Sequence, residues 1–382
     1  MPWIQTSPMD LKIQLIADWQ TKRFSITDLS QKYSISRKTV YKWVDRYRCE
    51  SLNGLKDQSR MPHYSPNQTS DDIIKALVEE KLKNRKRGPK KIQTQLQRHY
   101  PHIKWPVPST IGNWLKKYGL VKERRYRRRV PPYQEPFSDC QCSNAVWSAD
   151  YKGQFYTKNA QVCYPLTISD NYTRYLLACQ GLPGPRYKET KAVFIDVFRE
   201  YGLPRAIRID NGTPFAGKSL GGLSRLSVWW IQLGIMPERI DKGCPQQNGR
   251  HERMHRTLKE EAVMPASRNM KEQQQRFDWF RNDYNNYRPH EALGQEPPYE
   301  HYQKSTRPYI EKPVIPDYDF NYTVRMVRHN GEIKFNSSHY YVSGLLSGQP
   351  IGLKEIADGQ WKLYYSFYPI GTLDLRKNKV IK

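Results

Sequence analysis

Acidic side chains are scarce in this chain. Asp and Glu number 37 against 63 Lys and Arg, which leaves a net charge of +26. An excess that large favours polyanionic partners and fast, salt-sensitive association. Charge alone fits a ribosomal or membrane-surface protein equally well. Long hydrophobic runs are missing too. No stretch approaches the ~20 apolar residues of a bilayer span, so no membrane partner is expected. Met1-Pro2-Trp3-Ile4-Gln5-Thr6 lacks a charged segment followed by an apolar one, and export is not expected. Cysteines number six, with no framework spacing, which fits reduced thiols in a cytoplasmic protein. A zinc site from His99, His102, Cys140 and Cys142 is rejected, because one residue separates the cysteines where structural zinc pairs have two to four.

What the chain does have is concentrated in Pro245-Gln246-Gln247-Asn248-Gly249-Arg250-His251-Glu252-Arg253-Met254-His255-Arg256-Thr257-Leu258-Lys259. Pro and Asn-Gly mark a loop, and a run of good helix formers follows. Helix positions i, i+3, i+4 and i+7 share a face. That places Glu252 with His255, Arg256 and Lys259, one carboxylate beside three potential cations. Alone, this would read as a surface helix laced with ion pairs.

Two aspartates change the reading. Asp150 ends the apolar run Ala145-Val146-Trp147-Ser148-Ala149, and Asp210 ends Ala206-Ile207-Arg208-Ile209 before Asn211-Gly212. Both contexts predict a buried strand with an acid at its C-terminal tip, where open sheets build sites. Mg²⁺ prefers oxygen ligands, and two such ions can clamp the attacking and leaving oxygens of a phosphoryl displacement. Asp150, Asp210 and Glu252 are therefore the candidate metal ligands. Asp170 is a rival for the first acid, but lies within a turn signal, Asp170-Asn171.

Trp147-Ser148-Ala149-Asp150, Ile209-Asp210-Asn211-Gly212 and Gln246-Gln247-Asn248-Gly249-Arg250-His251-Glu252-Arg253 resemble the three acidic motifs of the integrase-core transposases of bacterial insertion sequences, related in fold to retroviral integrases. The resemblance runs to about Tyr302 and returns in Asn286-Tyr287-Arg288-Pro289-His290. It implies an RNase H-like fold and a DNA strand-cutting and strand-transfer enzyme. Carried over by residue, Asp150, Asp210 and Glu252 match the catalytic acids. Lys259 matches a basic residue that faces the DNA end. One departure is the spacing, since 41 residues separate Asp210 from Glu252, a few more than the retroviral pattern has. The surplus is assigned to the loop 217–222.

The domain organisation expected is a helix-turn-helix module at 8–58, a second at 68–121, a basic linker at 122–142, an α/β RNase H-like catalytic core at 143–303, and a small β-barrel at 320–382. The first module has Leu11, Leu15, Ile16 and Trp19 at helical spacing, then Leu29, Ile35, Val40 and Trp43 as an internal core with Ser36 as N-cap. Arg37, Lys38, Tyr41 and Lys42 then face the major groove. An ordinary three-helix bundle with a solvated basic face is the alternative. The second module carries an amphipathic helix at 71–83 with Ile73, Ile74, Leu77 and Leu82 apolar. A basic turn 84–91 and helices from Ile92 and Pro108 follow. Ser109, Thr110, Asn113 and Lys116 are its candidate DNA contacts. In the linker, Arg124, Arg125, Arg127 and Arg128 run along phosphates or stay as a solvated tether.

Within the core, a hairpin spans 162–180, helices 188–201, 224–233 and 273–287, and a last strand 235–240. Trp229 and Trp230 read as core. His251 and His255 are a possible metal pair, but phosphate or carboxylate contacts are preferred, since hard cations need no imidazole. Short strands separated by Asn330-Gly331 and Asp358-Gly359 turns resemble the SH3-like barrel of integrases, which implies DNA or oligomer contact. Packing alone is the other reading.

The function expected is a transposase that binds terminal inverted repeats and catalyses Mg²⁺-dependent cleavage and strand transfer, with Mn²⁺ as a substitute ion. His255, Arg256 and Lys259 position the strand. Its partners are double-stranded DNA (repeat and target) and further copies of itself, in the bacterial cytoplasm at the nucleoid. The alternatives are a catalytically silent DNA-binding regulator derived from a transposase and a plain RNase H-like nuclease.

Overall fold

The computed structural model describes residues 7–59, 68–121, 140–217, 219–241, 245–313 and 315–381. The linker arginines 124, 125, 127 and 128 lie outside them. The chain divides into two compact units, 1–69 and 70–382.

The first unit contains helices α1 (Pro8–Gln20), α2 (Ile26–Lys32) and α3 (Arg37–Glu50). Ser7 and Ser25 cap α1 and α2 through reciprocal bonds with Asp10 and Asp28, the capping-box arrangement. Ser36 accepts from the Thr39 amide to start α3. The core is Leu15, Ile16, Leu29, Val40, Val44 and Leu55, with Ile35 and Trp43 partly buried against it. Leu11 is not core and stands exposed. Arg37, Lys38, Tyr41 and Lys42 are all exposed on α3.

The second unit opens with α4 (Asp71–Lys83), α5 (Pro89–His99) and α6 (Pro108–Lys117). Leu77, Ile92, Leu96, Trp105, Ile111 and Leu115 form their core. Leu82, expected on the apolar face, is exposed, because a helix buries one stripe and Leu82 lies off it. The turn before α5 is not simply a solvated basic loop. Lys81 donates to the Arg85 and Arg87 carbonyls, and Arg87 is buried.

A sheet follows, built from β1 (Val146–Tyr151), β2 (Phe155–Tyr156), β3 (Val162–Asp170) and β4 (Leu176–Leu182). Beyond α7 (Tyr187–Tyr201), β5 (Ala206–Ile209) enters it, and beyond α8 (Arg225–Gln232), β6 (Met236–Arg239) closes it. Its order is β4-β3-β1-β5-β6, with β2 also on β3. The β3 pairings are antiparallel, and β1-β5-β6 run parallel. Trp147, Phe194, Phe198, Ile207 and Trp230 fill one face. The other face packs on α9 (Gly249–Leu258) and α10 (Met270–Asn282) through Cys163, Cys179, Met254, Leu258, Phe277 and Phe280. A π-helical turn follows each of these two helices, at Lys259–Val263 and Asp283–Tyr287.

The C-terminal strands are β7 (Thr323–Met326), β8 (Glu332–Phe335), β9 (Ser338–Tyr341), β10 (Pro350–Ala357), β11 (Gln360–Tyr365), β12 (Tyr368–Asp374) and β13 (Lys379–Ile381). The barrel expectation is corrected here. Five strands form an open antiparallel sheet, β13-β12-β11-β10-β7, and β8-β9 is a separate hairpin, so no sheet closes among the described residues. The hairpin covers the open sheet instead, burying Ile333, Phe335 and Tyr340 against Leu353, Leu363 and Tyr365. Closure is not needed once another layer removes the apolar face from water.

Candidate active site

Asp150 sits at the end of the central strand β1, opposite Thr167 of β3. The flanking residues Val146–Ala149 are buried, so this strand is held on both faces. Asp210 follows β5, the parallel neighbour of β1. Its carboxylate accepts from the Gly212 amide at 3.1 Å. A Cβ on Gly212 would lie 2.9 Å from Asp210 Oδ2, so glycine lets the turn fold onto the acid. Asn211 donates to the Ile240 carbonyl at 2.7 Å and accepts from Arg239 at 2.7 Å. The segment at Gly222 reaches this turn through Arg239, because Gly222, at φ +68°, leaves room for the guanidinium where a Cβ would collide with it.

Glu252 lies in the first turn of α9 and is exposed. Gln247, buried just before the helix, bonds both the amide and the carboxylate of Asp241, which ties the loop to the end of β6. Asp150 senses the charges of the other two acids. Asp150 is pushed up to about 7, first by burial, then by the Asp210 charge, and in smaller part by Glu252. Like charges raise a carboxyl only where they share a neighbourhood, and burial with like charge makes Asp150 a candidate functional carboxylate.

The histidines lie where helical spacing did not place them. His255, expected to contact the DNA strand, is 6% exposed, and His251 is 1% exposed. They belong to the inward stripe His251, Met254, His255 and Leu258. Position i+3 from Glu252 lies to one side of that acid, and the sheet covers that side. Thr167 Oγ1 donates to the Asp150 carbonyl. It also hydrogen-bonds Nε2 of both rings, at 2.7 Å to His251 and 2.6 Å to His255. His251 Nδ1 hydrogen-bonds Ser169 Oγ at 3.0 Å, and His255 Nδ1 faces Asp150 Oδ2 at 3.7 Å. Burial holds both imidazoles neutral, His251 at about 3. The ligand atoms of Asp150, His251 and His255 lie within 4.8 Å of one another. Nothing in the helical spacing alone separates inward from outward histidines. Thr167 was missed, and its only signal was its place in the central strand pair.

Asp170, the rival acid, is 1% exposed. It accepts from the Asn144, Tyr172 and Thr173 amides and the Thr173 hydroxyl, a fully used turn clamp. Arg256 and Lys259 are exposed, as are Ser109, Asn113 and Lys116 on α6, with Thr110 half-buried.

The integrase core domain family matches residues 233–298, a span that holds Glu252 but neither aspartate. A helix-turn-helix domain family matches 11–63, and a homeodomain-like domain family matches 39–115. The chain is 26% identical over 283 residues to the insertion element IS476 39.2 kDa protein of Xanthomonas euvesicatoria, covering 70% of this chain and 75% of that one. It is 25% identical over 242 residues to the insertion element IS407 31.7 kDa protein of Burkholderia multivorans, covering 60% and 81%. Among solved structures, the magnesium complex of the HTLV-2 integrase catalytic core aligns at TM-score 0.34 and 12% identity, over 43% of this chain and 99% of that one. The chain therefore joins helix-turn-helix domains to an integrase core. Both relatives are proteins of insertion elements. No helix among the described residues is long and apolar enough to cross a membrane.

Proposed function

We propose that this protein binds the terminal inverted repeats of its element and catalyses metal-dependent DNA strand cleavage and strand transfer through Asp150, Asp210 and Glu252. The observation that carries the reading is the raised Asp150 carboxyl, held up by burial and by the charges of Asp210 and Glu252. A buried carboxyl raised by two neighbouring carboxylate charges suits a hard divalent cation, which would relieve the repulsion. Two Mg²⁺ ions held by these acids, or Mn²⁺ in their place, would supply Lewis-acid activation of the attacking oxygen and charge stabilisation of the leaving one.

The chain's own residues do the rest. Asp150 and Asp210 hold fixed positions because they end paired buried strands. Glu252 approaches from a helix whose inward stripe is anchored in the core. Arg256 and Lys259, on the outer face, hold the phosphate backbone. The bonds change in line: a water oxygen bonds to phosphorus as the O3′–P bond breaks, leaving a 3′-hydroxyl and a 5′-phosphate. That hydroxyl then attacks a target phosphodiester in the same way. No side chain bonds covalently to DNA. Exposed Arg37, Lys38, Tyr41 and Lys42 would read one segment of the repeat, and α6 another. Two ends must be joined, so the working assembly contains several copies.

Glu252→Gln tests the site. The variant is expected to lose Mg²⁺-dependent nicking of terminal-repeat DNA by at least about a hundredfold while shifting that DNA as the parent does. Nicking at the parent rate would refute the assignment. A silent regulator would bind and never cut, and a plain nuclease would nick without joined products.

A further inference from the structure

Between the second helical module and α9 lies a cleft of about 480 Å³. Lys86 and Lys91 line it from the α4–α5 turn and α5, and Arg174, Arg250, Arg253 and Arg256 from the catalytic side. None of these six makes an ion pair within 4.0 Å among the described residues, and Arg174 and Arg250 both donate to the same carbonyl, of Asn171. Two carboxylates line it, so the cations outnumber them. Glu291 pairs with Lys90 at 3.2 Å, and Glu260 is exposed without an ion pair within 4.0 Å among the described residues. Glu261 close by pairs with Arg288 at 2.7 Å. Lys91 is held down to about 8, first by burial, then by Arg288 and Arg87. Arg174 is lowered to about 10, first by burial, then by Arg250.

The walls are fixed rather than loosely apposed. Arg87, 2% exposed, bonds both oxygens of Asp283 at 2.7 and 2.9 Å. A rigid scaffold that crowds unpaired cations is built for an anion it does not itself supply.

We propose that this cleft takes a single strand of DNA by its phosphates, feeding it to or from the acids. The identity of the polyanion rests on the strand-transfer reading. Size argues for one strand. The cleft falls in the ~300–1,000 Å³ range of small-ligand pockets, while the major groove of a duplex is about 12 Å wide by itself. Chemistry argues for backbone rather than base. The lining offers guanidinium and ammonium groups, while of its rings Tyr284 is 7% exposed and His290 packs edge-to-face with Tyr284 at 4.6 Å, so cations rather than open ring faces dominate it. Position argues for a strand near the chemistry, because Arg250 and Arg253 flank Glu252 within one turn of α9.

The test is fluorescence anisotropy with full-length protein and two mixed-sequence probes, a blunt duplex and the same duplex bearing an unpaired oligothymidine arm. The wild type should prefer the armed probe. Lys91→Ala/Arg253→Ala should bind it about tenfold more weakly, the worth of one charge-assisted hydrogen bond, and bind the blunt probe unchanged. The salt slope on the armed probe should fall by about 0.7 for each phosphate that the variant leaves without a cation. Melting temperature should hold or rise, because the variant removes cations that repel one another. Equal weakening on both probes would make this a duplex surface and overturn the proposal. So would a wild type that ignores the arm, which decides the matter even if the double variant does not fold. Mg²⁺-dependent nicking of terminal-repeat DNA by the wild type is read separately. Arm binding without nicking would sink the enzymatic reading and leave the cleft standing, and nicking without arm preference would do the reverse.

Discussion

His255 and Asp150 face each other across 3.7 Å, and burial pushes both toward neutrality. The consequence for Asp150 can be measured without DNA. Its folded value of about 7 stands above the 3.8 of an unperturbed carboxyl. The charge penalty is therefore absent below 3.8, grows as pH rises through that window, and is complete above it. Asp150→Asn should stabilise the metal-free protein on the order of 2 kcal/mol near pH 8 and little near pH 4, read by urea unfolding at both. His290 carries the opposite dependence. Burial first, then Lys91, lowers it from 6.5 to about 3. Its stability contribution is present above 6.5 and is lost as pH falls toward 3. His290→Gln should flatten that acid loss by up to about 1.4 kcal/mol per pH unit, followed as melting temperature against pH. At this scale the strand-end positions of Asp150 and Asp210 were legible in the sequence, and the burial of the two histidines was not. A strand followed by Asp and a turn is a local pattern, while the side on which a helix meets the sheet is not.

Helix α9 shows how one element serves three surroundings. Its inward stripe, His251, Met254, His255 and Leu258, packs under the sheet. Glu252 and Lys259 stay on the open side, and Arg250, Arg253, Arg256 and Thr257 line the cleft. The neighbouring α10 was legible from its apolar spacing but starts at Met270, earlier than the expected 273, because Asn269 caps it. Its last turn widens into a π turn at Asp283–Tyr287, which no periodicity announces. That turn presents Asp283 to Arg87 from nearly two hundred residues away. Asp283→Ala should destabilise the second unit by about 3 kcal/mol or more, because a buried guanidinium loses its counter-charge. Arg87→Met/Asp283→Leu should cost much less, and chemical denaturation of the two variants distinguishes them.

Across the whole molecule, the C-terminal strands do more than decorate the chain. Leu220, Leu223, Val228 and Ile231 of the catalytic domain share one core with Ile351, Leu363 and Ile370, and Tyr368 bonds the Gly221 carbonyl at 3.3 Å. The same loop reaches the Asp210 turn through Arg239. Removing residues 320–382 should expose those four side chains, cost on the order of 5 kcal/mol, and leave the remainder prone to aggregation, seen by light scattering on gentle heating. The strands themselves were mostly legible from alternation and Asn-Gly or Asp-Gly turns. β2 and β13, with two and three residues, are too short to carry a pattern.

Order of elements, the excess of positive charge and the strand-end placing of Asp150 and Asp210 came from the chain read alone, because each depends on composition or on neighbours within a few positions: strand alternation, helix spacing, a cap, a turn. An open sheet in place of a barrel, two neutral histidines beneath Asp150, and cations brought together from α5 and α9 depended on the folded chain. Those outcomes are set by which surfaces meet, and desolvation and Coulomb repulsion act through space regardless of separation along the polypeptide.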